Sequence, residues 1–162
     1  MSRKIAYSGI LLALNIILLI LVNIIPVNTL FILGLSSLPI SIVIMEYGPK
    51  EGIIFYIGSV LLSFMIMANK VQWILYVFTF GIYGLLKYII EKDRSFAQEY
   101  IFKILVANVL IIIVYIIIKS FIYVPINIFV ILIFEISFII YDFAYSQFID
   151  FYNGKLRRFF RR

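Results

Sequence analysis

Residues 5–25 read IAYSGILLALNIILLILVNII, a mostly apolar run that begins directly after Arg3-Lys4 and ends directly before Pro26. A helix that crosses a bilayer needs about 20 predominantly apolar residues, so this run is long enough to do so. A secretory signal peptide also starts with basic residues, but its apolar core is shorter and a small-residue cleavage site follows it. We therefore expect a retained first transmembrane helix.

The rest of the chain repeats this pattern. The sequence is 65% hydrophobic, whereas soluble domains are about 45–50% apolar. Proline, glycine and charged residues divide it into six apolar stretches, and Pro39 should kink the second helix. The predicted fold class is an all-α integral membrane protein, a six-transmembrane-helix bundle over residues 1–154, with a basic cytoplasmic tail at 155–162. The predicted helices cover residues 5–25, 30–47, 51–68, 71–90, 100–119 and 125 to about 145–151.

The distribution of basic residues predicts the orientation, because short cytoplasmic loops carry an excess of Lys and Arg. With the N-terminus inside, only Lys70 and Lys119 of the 14 Lys and Arg residues lie at outer helix ends. We expect both termini in the cytoplasm and a multi-pass protein of a bacterial plasma membrane. The tail is either an anchor for anionic lipid headgroups or a docking site for a cytoplasmic partner.

Composition also limits the chemistry. The chain has no Cys and no His, so thiolate nucleophiles and the commonest metal ligands are absent from the sequence. No glycine-rich phosphate loop or nucleophile elbow is present. We therefore predict no catalytic residue, no metal site and no cofactor. The positive charge lies at predicted membrane boundaries, which indicates membrane lipids rather than nucleic acid as its partner.

Charged residues inside predicted helices are informative because they are costly in a membrane. Lys103 and Asp142 lie at similar predicted depths on the fifth and sixth helices, so we predict an ion pair that fixes helix packing or has a functional role. Glu135 lies near the middle of the sixth helix. It is either a protonated acid that bonds to a neighbouring helix or a group that lines a ligand cavity.

The predicted outer helix ends hold a second polar set. Aromatic residues there often form only an interfacial belt, but amides and lysines can also provide the few polar contacts of a small-molecule pocket. The set comprises Asn23, Asn28, Asn69, Lys70, Gln72, Trp73, Lys119, Tyr123 and Asn127. The predicted substrate-binding residues are Asn28, Asn69, Lys70, Gln72, Trp73, Lys119, Asn127 and Glu135.

Gly9 and Ala13 form a small-xxx-small pair on one face of the first predicted helix. Such pairs allow another helix backbone to approach closely in a membrane. This face either docks a separate membrane subunit or packs against other helices of the same chain.

Two features resemble the substrate-binding S components of energy-coupling factor transporters. The opening from Arg3 to Leu14 resembles the basic pair and small-xxx-small helix with which S components often start. Tyr47-Gly48-Pro49-Lys50-Glu51-Gly52 is similar to their Gly-Pro-x-x-Gly turn, although the Asp that often follows it is missing. The resemblance implies a transmembrane coupling subunit with ATPases as partner, and it assigns the docking role to Gly9 and Ala13.

Two functions follow as hypotheses. The first is a membrane-embedded subunit that binds a vitamin-like or other small molecule for uptake and works with a separate ATPase module. The alternative is a non-transporting scaffold of cell-envelope assembly that resembles the rod-shape-determining D protein. A transporter needs an outward cavity with convergent polar groups, whereas a scaffold should be solidly packed there.

Overall fold

A computed structural model describes residues 2–25, 27–121 and 127–156 of the protein, and these residues form helices without any strand. Six of the helical stretches are long and apolar enough to span a membrane, which confirms the number of predicted helices. Their bounds are Arg3–Ile24, Thr29–Tyr47, Pro49–Ile66, Lys70–Glu91, Phe96–Ile118 and Ile128–Gly154.

Proline shapes the second membrane-length helix. After α1 (Ser2–Ile24), this helix consists of α2 (Thr29–Ser36) and α3 (Leu38–Tyr47), which are separated at Ser37. Pro39 is the second residue of α3, where its missing N–H costs no helical hydrogen bond. The interruption therefore lies where the sequence predicted a kink.

The turn into α4 (Pro49–Ile66) explains both glycines of the Gly-Pro-x-x-Gly motif. Gly48 has a φ of 94°, which glycine adopts without steric cost, and Pro49 then starts the helix. A Cβ atom at Gly52 would clash with the Ile44 side chain and lie 3.2 Å from Leu85 Cδ2. The motif therefore allows α4 to pack closely against the helices that carry these two residues.

The fourth membrane-length helix is not a regular α-helix. It comprises α5 (Lys70–Leu75), a π-helical segment (Tyr76–Gly81) and α6 (Ile82–Glu91). A π-helix bonds each N–H to the carbonyl five residues back and is rare, so this segment was not predicted from the sequence.

The fifth membrane-length helix is α7 (Phe96–Ile118). Arg94 in the preceding loop donates from Nη1 to the carbonyls of Ile89 and Ile90, at 2.9 and 2.8 Å. These carbonyls lie in the last turn of α6, whose final acceptors have no partner within the helix. The loop that precedes α7 therefore caps the end of α6 through Arg94.

The chain divides into two compact units, residues 1–122 and 123–162. In the first unit, a buried cluster that includes Leu19, Leu33, Met67 and Tyr76 forms the core. Large apolar side chains also cover its surface, such as Ile10 at 68% and Met65 at 82% exposure. The second unit contains α8 (Ile128–Phe151) and a short π-helical end (Tyr152–Leu156). The tail residues 157–162 lie outside the described residues.

Candidate functional site

Three residues of the predicted polar set converge on the C-terminal end of α4. Lys70 Nζ donates to the carbonyls of Phe64 and Met67 at 2.6 and 3.0 Å. It also lies 4.2 Å from the centroid of the Phe64 ring. A cation at this position meets the partial negative charge of the helix end and its unpaired carbonyls.

Asn23 and Trp73 bond to the same end of α4. Asn23 Nδ2 donates to the Ile66 carbonyl at 3.0 Å, and Asn23 Oδ1 accepts from the Ala68 N–H at 3.1 Å. Trp73 Nε1 donates to the Val60 carbonyl at 3.3 Å. We call Asn23, Lys70 and Trp73 the α4-end cluster. It joins α1 and α5 to α4 through an amide, an ammonium and an indole.

The other predicted substrate residues are more dispersed. Asn69 caps α5 by accepting from the Val71 N–H at 2.9 Å, and Gln72 is half-buried on α5. Asn28 is exposed before α2 and has a φ of 65°. Lys119 is exposed after α7, with its ammonium 5.8 Å from the Tyr115 ring centroid.

The remaining members of the predicted set lie in the second unit. Asn127 caps α8 by accepting from the Val130 N–H at 2.9 Å, and Glu135 is half-buried on α8. Tyr123 lies outside the described residues. The structure therefore brings Lys70 and Trp73 together and places Asn69 and Gln72 beside them in the chain, and the ligand role of the set stays a prediction.

A buried polar network that the sequence analysis missed lies in the middle of the first unit. Asn15 Nδ2 donates to the Ser36 carbonyl at 2.5 Å and to the Tyr76 hydroxyl at 3.0 Å. Tyr76 donates to Ser59 Oγ at 3.1 Å, and Ser59 donates to the Tyr56 carbonyl at 2.8 Å. We call Asn15, Ser36, Ser59 and Tyr76 the central network.

The central network connects α1, α2, α4 and the π-helical segment. Its four members are fully buried, each at 0% exposure. Both amide protons of Asn15 are used, and one of them meets the last carbonyl of α2, directly before the interruption at Ser37. A fully satisfied buried network rigidifies a structure and specifies its packing. Asn15 is an isolated polar residue in an apolar run, and this was the sequence signal for the network. Its partners lie on other helices, so the sequence alone does not identify them.

A charged cluster occupies the other end of the fourth membrane-length helix. Glu91 accepts from Lys87 Nζ at 2.5 Å and from Lys103 Nζ at 2.6 Å. Both lysines are almost fully buried, at 1% and 4% exposure. The carboxylate therefore offsets part of the cost of two buried ammonium groups. The predicted Lys103–Asp142 pair would join the two units and stays a prediction.

Gly9 and Ala13 lie on the surface of the first unit. Both are exposed on α1, and a Cβ atom added at Gly9 would have no atom within 4 Å. Within the described residues, this face of α1 is thus accessible to a second molecule.

Neither a protein-family model, nor a curated protein, nor a solved structure matches the chain. Its function is therefore argued from its own residues. Among the described residues, no group of three or more His, Cys, Asp and Glu side chains is placed to hold a metal ion. The polar side chains of the central network and of the α4-end cluster join helices through hydrogen bonds. Those of the α4-end cluster also lie near the surface.

Proposed function

We propose that the chain is the membrane-embedded substrate-binding subunit of a small-molecule uptake system that works with a separate energising ATPase module. The observation that carries this proposal is the exposed small-residue face of α1, formed by Gly9 and Ala13. A face without side-chain bulk allows a second helix to approach at backbone distance, and close packing is a main source of helix association in lipid.

The substrate would bind at the α4-end cluster. Lys70 and Asn69 are exposed there, and Gln72 and Trp73 are half-buried, so an apolar wall and a few polar groups are available to a small molecule. The Lys70 ammonium has three N–H donors and uses two of them on the carbonyls of Phe64 and Met67. A ligand with an anionic or carbonyl oxygen can thus engage the third donor without leaving the partly buried Met67 carbonyl unpaired.

The docking face is tested by purification from the native membrane. A tagged chain should co-purify with a transmembrane subunit and its ATPases, identified by mass spectrometry. Gly9→Leu and Ala13→Leu should each abolish this co-purification while the variant chain remains folded. Ala97→Leu is the matched control, because it adds the same side chain at an exposed position of α7. Equal recovery of partners with all three variants would refute the docking role.

One observation favours a different function. Lys70, Trp73 and Asn23 already bond to α4, as expected for a packed envelope-assembly scaffold rather than an open binding site. In that case the chain would co-purify with cell-envelope proteins that lack ATPase subunits, and no small molecule would accompany it.

We further propose that the protein is embedded in a bacterial plasma membrane with both termini in the cytoplasm. The six apolar helices and their exposed apolar side chains support a lipid environment. Because the chain has no Cys, single substitutions Ser2→Cys, Ser95→Cys and Asn153→Cys can report on orientation. All three should resist an impermeant thiol reagent applied to intact cells, and labelling of any one would contradict the topology.

A further inference from the structure

Two carbonyls in and beside the π-helical segment are bonded to side-chain hydroxyls. The Tyr56 hydroxyl donates to the Val77 carbonyl at 2.8 Å, and the Thr79 hydroxyl donates to the Leu75 carbonyl. In α-helical winding, the backbone N–H groups of Gly81 and Thr79 would occupy these same carbonyls, since each bonds four residues back. In π winding, the backbone donors to these carbonyls are the N–H groups of Phe80 and Ile82, since each bonds five residues back. The hydroxyls thus bond to carbonyls whose backbone donor differs between the two windings.

Gly81 lies where the π-helical segment leaves little room for a side chain. A Cβ atom there would lie 2.9 Å from the Tyr76 carbonyl oxygen and 3.2 Å from Tyr56 Cε2. The carbonyl five residues back faces position 81 only because the segment is wound as a π-helix. Alanine at position 81 therefore requires the π form to shift its backbone, whereas in an α-helix alanine is preferred over glycine.

We infer that the segment Tyr76–Gly81 is a hinge that alternates between π and α winding. In the α form, the Gly81 N–H bonds to the Val77 carbonyl, which the Ile82 N–H bonds in the π form, so that carbonyl keeps a backbone donor in both forms. The central network holds the π form through the Tyr76 hydroxyl. π-helical turns inside α-helices frequently occur at functional sites.

The exchange changes the direction of α5. A π-helical turn holds one residue more than an α-helical turn. When the segment changes to α winding, α5 therefore rotates about its axis by about 100° and shifts along it by about 1.5 Å. Lys70 and Trp73 lie on α5 and bond to α4 in the π form. The hinge thus controls whether the α4-end cluster is assembled. This role does not depend on what the protein binds or transports.

Cysteine labelling of the full-length protein in lipid nanodiscs tests the hinge. Ile74 is buried on α5, so the substitution Ile74→Cys should react slowly with a membrane-permeant maleimide. Adding Gly81→Ala to it should raise the labelling rate severalfold, because α5 rotates. Gly58→Ala is the matched control, since a Cβ atom there has only an ordinary contact at 3.9 Å, with Leu12 Cδ2. It should leave the rate unchanged.

A second position separates rotation from general loosening. Val43 is fully buried on α3, and Val43→Cys should label slowly with and without Gly81→Ala. If Gly81→Ala leaves the rate at position 74 unchanged, or raises it equally at position 43, the hinge is refuted. If Gly81→Ala does not fold, Tyr56→Phe tests the hinge through the same labelling rates at positions 74 and 43. This substitution adds no atom and removes only the hydroxyl that bonds to the Val77 carbonyl.

Discussion

The central network and the α4-end cluster both join helices through polar side chains, but in different surroundings. In the middle of the first unit, Asn15 and Tyr76 are fully buried and bond to buried partners. At the end of α4, Lys70 and Asn23 are exposed, so water can replace the Asn23 bonds and the Lys70 bond to the Phe64 carbonyl. The comparison indicates that the buried network contributes more to the stability of the fold than the exposed cluster does.

The largest effect should come from Asn15→Leu, which keeps the size of the side chain but removes the amide. The Ser36 carbonyl would then be buried without its donor, and the Tyr76 hydroxyl would lose one partner. An unsatisfied buried polar group costs about 1–3 kcal/mol, so the free energy of unfolding should fall by about 2–3 kcal/mol. Unfolding by SDS titration in mixed micelles measures this loss. A change within about 0.5 kcal/mol would mean that the network does not stabilise the fold.

A smaller effect is expected from Tyr76→Phe, which keeps the ring in the core and removes the hydroxyl. Asn15 and Ser59 would each lose one bond. Hydrogen bonds between helices in membranes contribute about 0.6 kcal/mol on average, so the loss should be about 1 kcal/mol. Combining Tyr76→Phe with Asn15→Leu should cost less than the sum of the single changes, since they share a bond. Strict additivity in the same titration would contradict the network.

The smallest effect is expected at the exposed end. Lys70→Met keeps the stem of the side chain and removes the ammonium from the carbonyls of Phe64 and Met67. A cation at a helix C-terminus contributes about 0.3–1 kcal/mol when it is exposed, and water can solvate the exposed Phe64 carbonyl. The free energy of unfolding should therefore fall by less than about 1 kcal/mol. A loss as large as that of Asn15→Leu would show that Lys70 is a core residue, and the contrast between the two regions would disappear.

The sequence predicted the six helices because apolar length alone identifies a membrane-length segment. It also located the interruption near Pro39, since proline acts through its own ring and missing N–H. It did not predict the π-helical segment, because a π turn has no sequence pattern comparable to apolar length or to proline. The Tyr56 bond to the Val77 carbonyl joins two helices, and no local pattern encodes it.

The candidate site was predicted only in part for a similar reason. Lys70 and Trp73 were selected as polar residues at a helix end, and they do lie together. Their bonds to α4 were not foreseen, because the carbonyl acceptors belong to the backbone. The fourth predicted helix stopped at residue 90, whereas Glu91 ends α6 and accepts from two buried lysines.

Native mass spectrometry of the chain purified from its own membrane tests the central claim most directly. We predict that the wild-type protein retains a small molecule, that Ser59→Ala retains it as well, and that Lys70→Met loses it while remaining folded. Ser59 belongs to the central network, so its removal should affect stability without affecting the ligand. A wild-type protein without any bound small molecule, or one whose ligand is equally retained by Lys70→Met, would contradict the account.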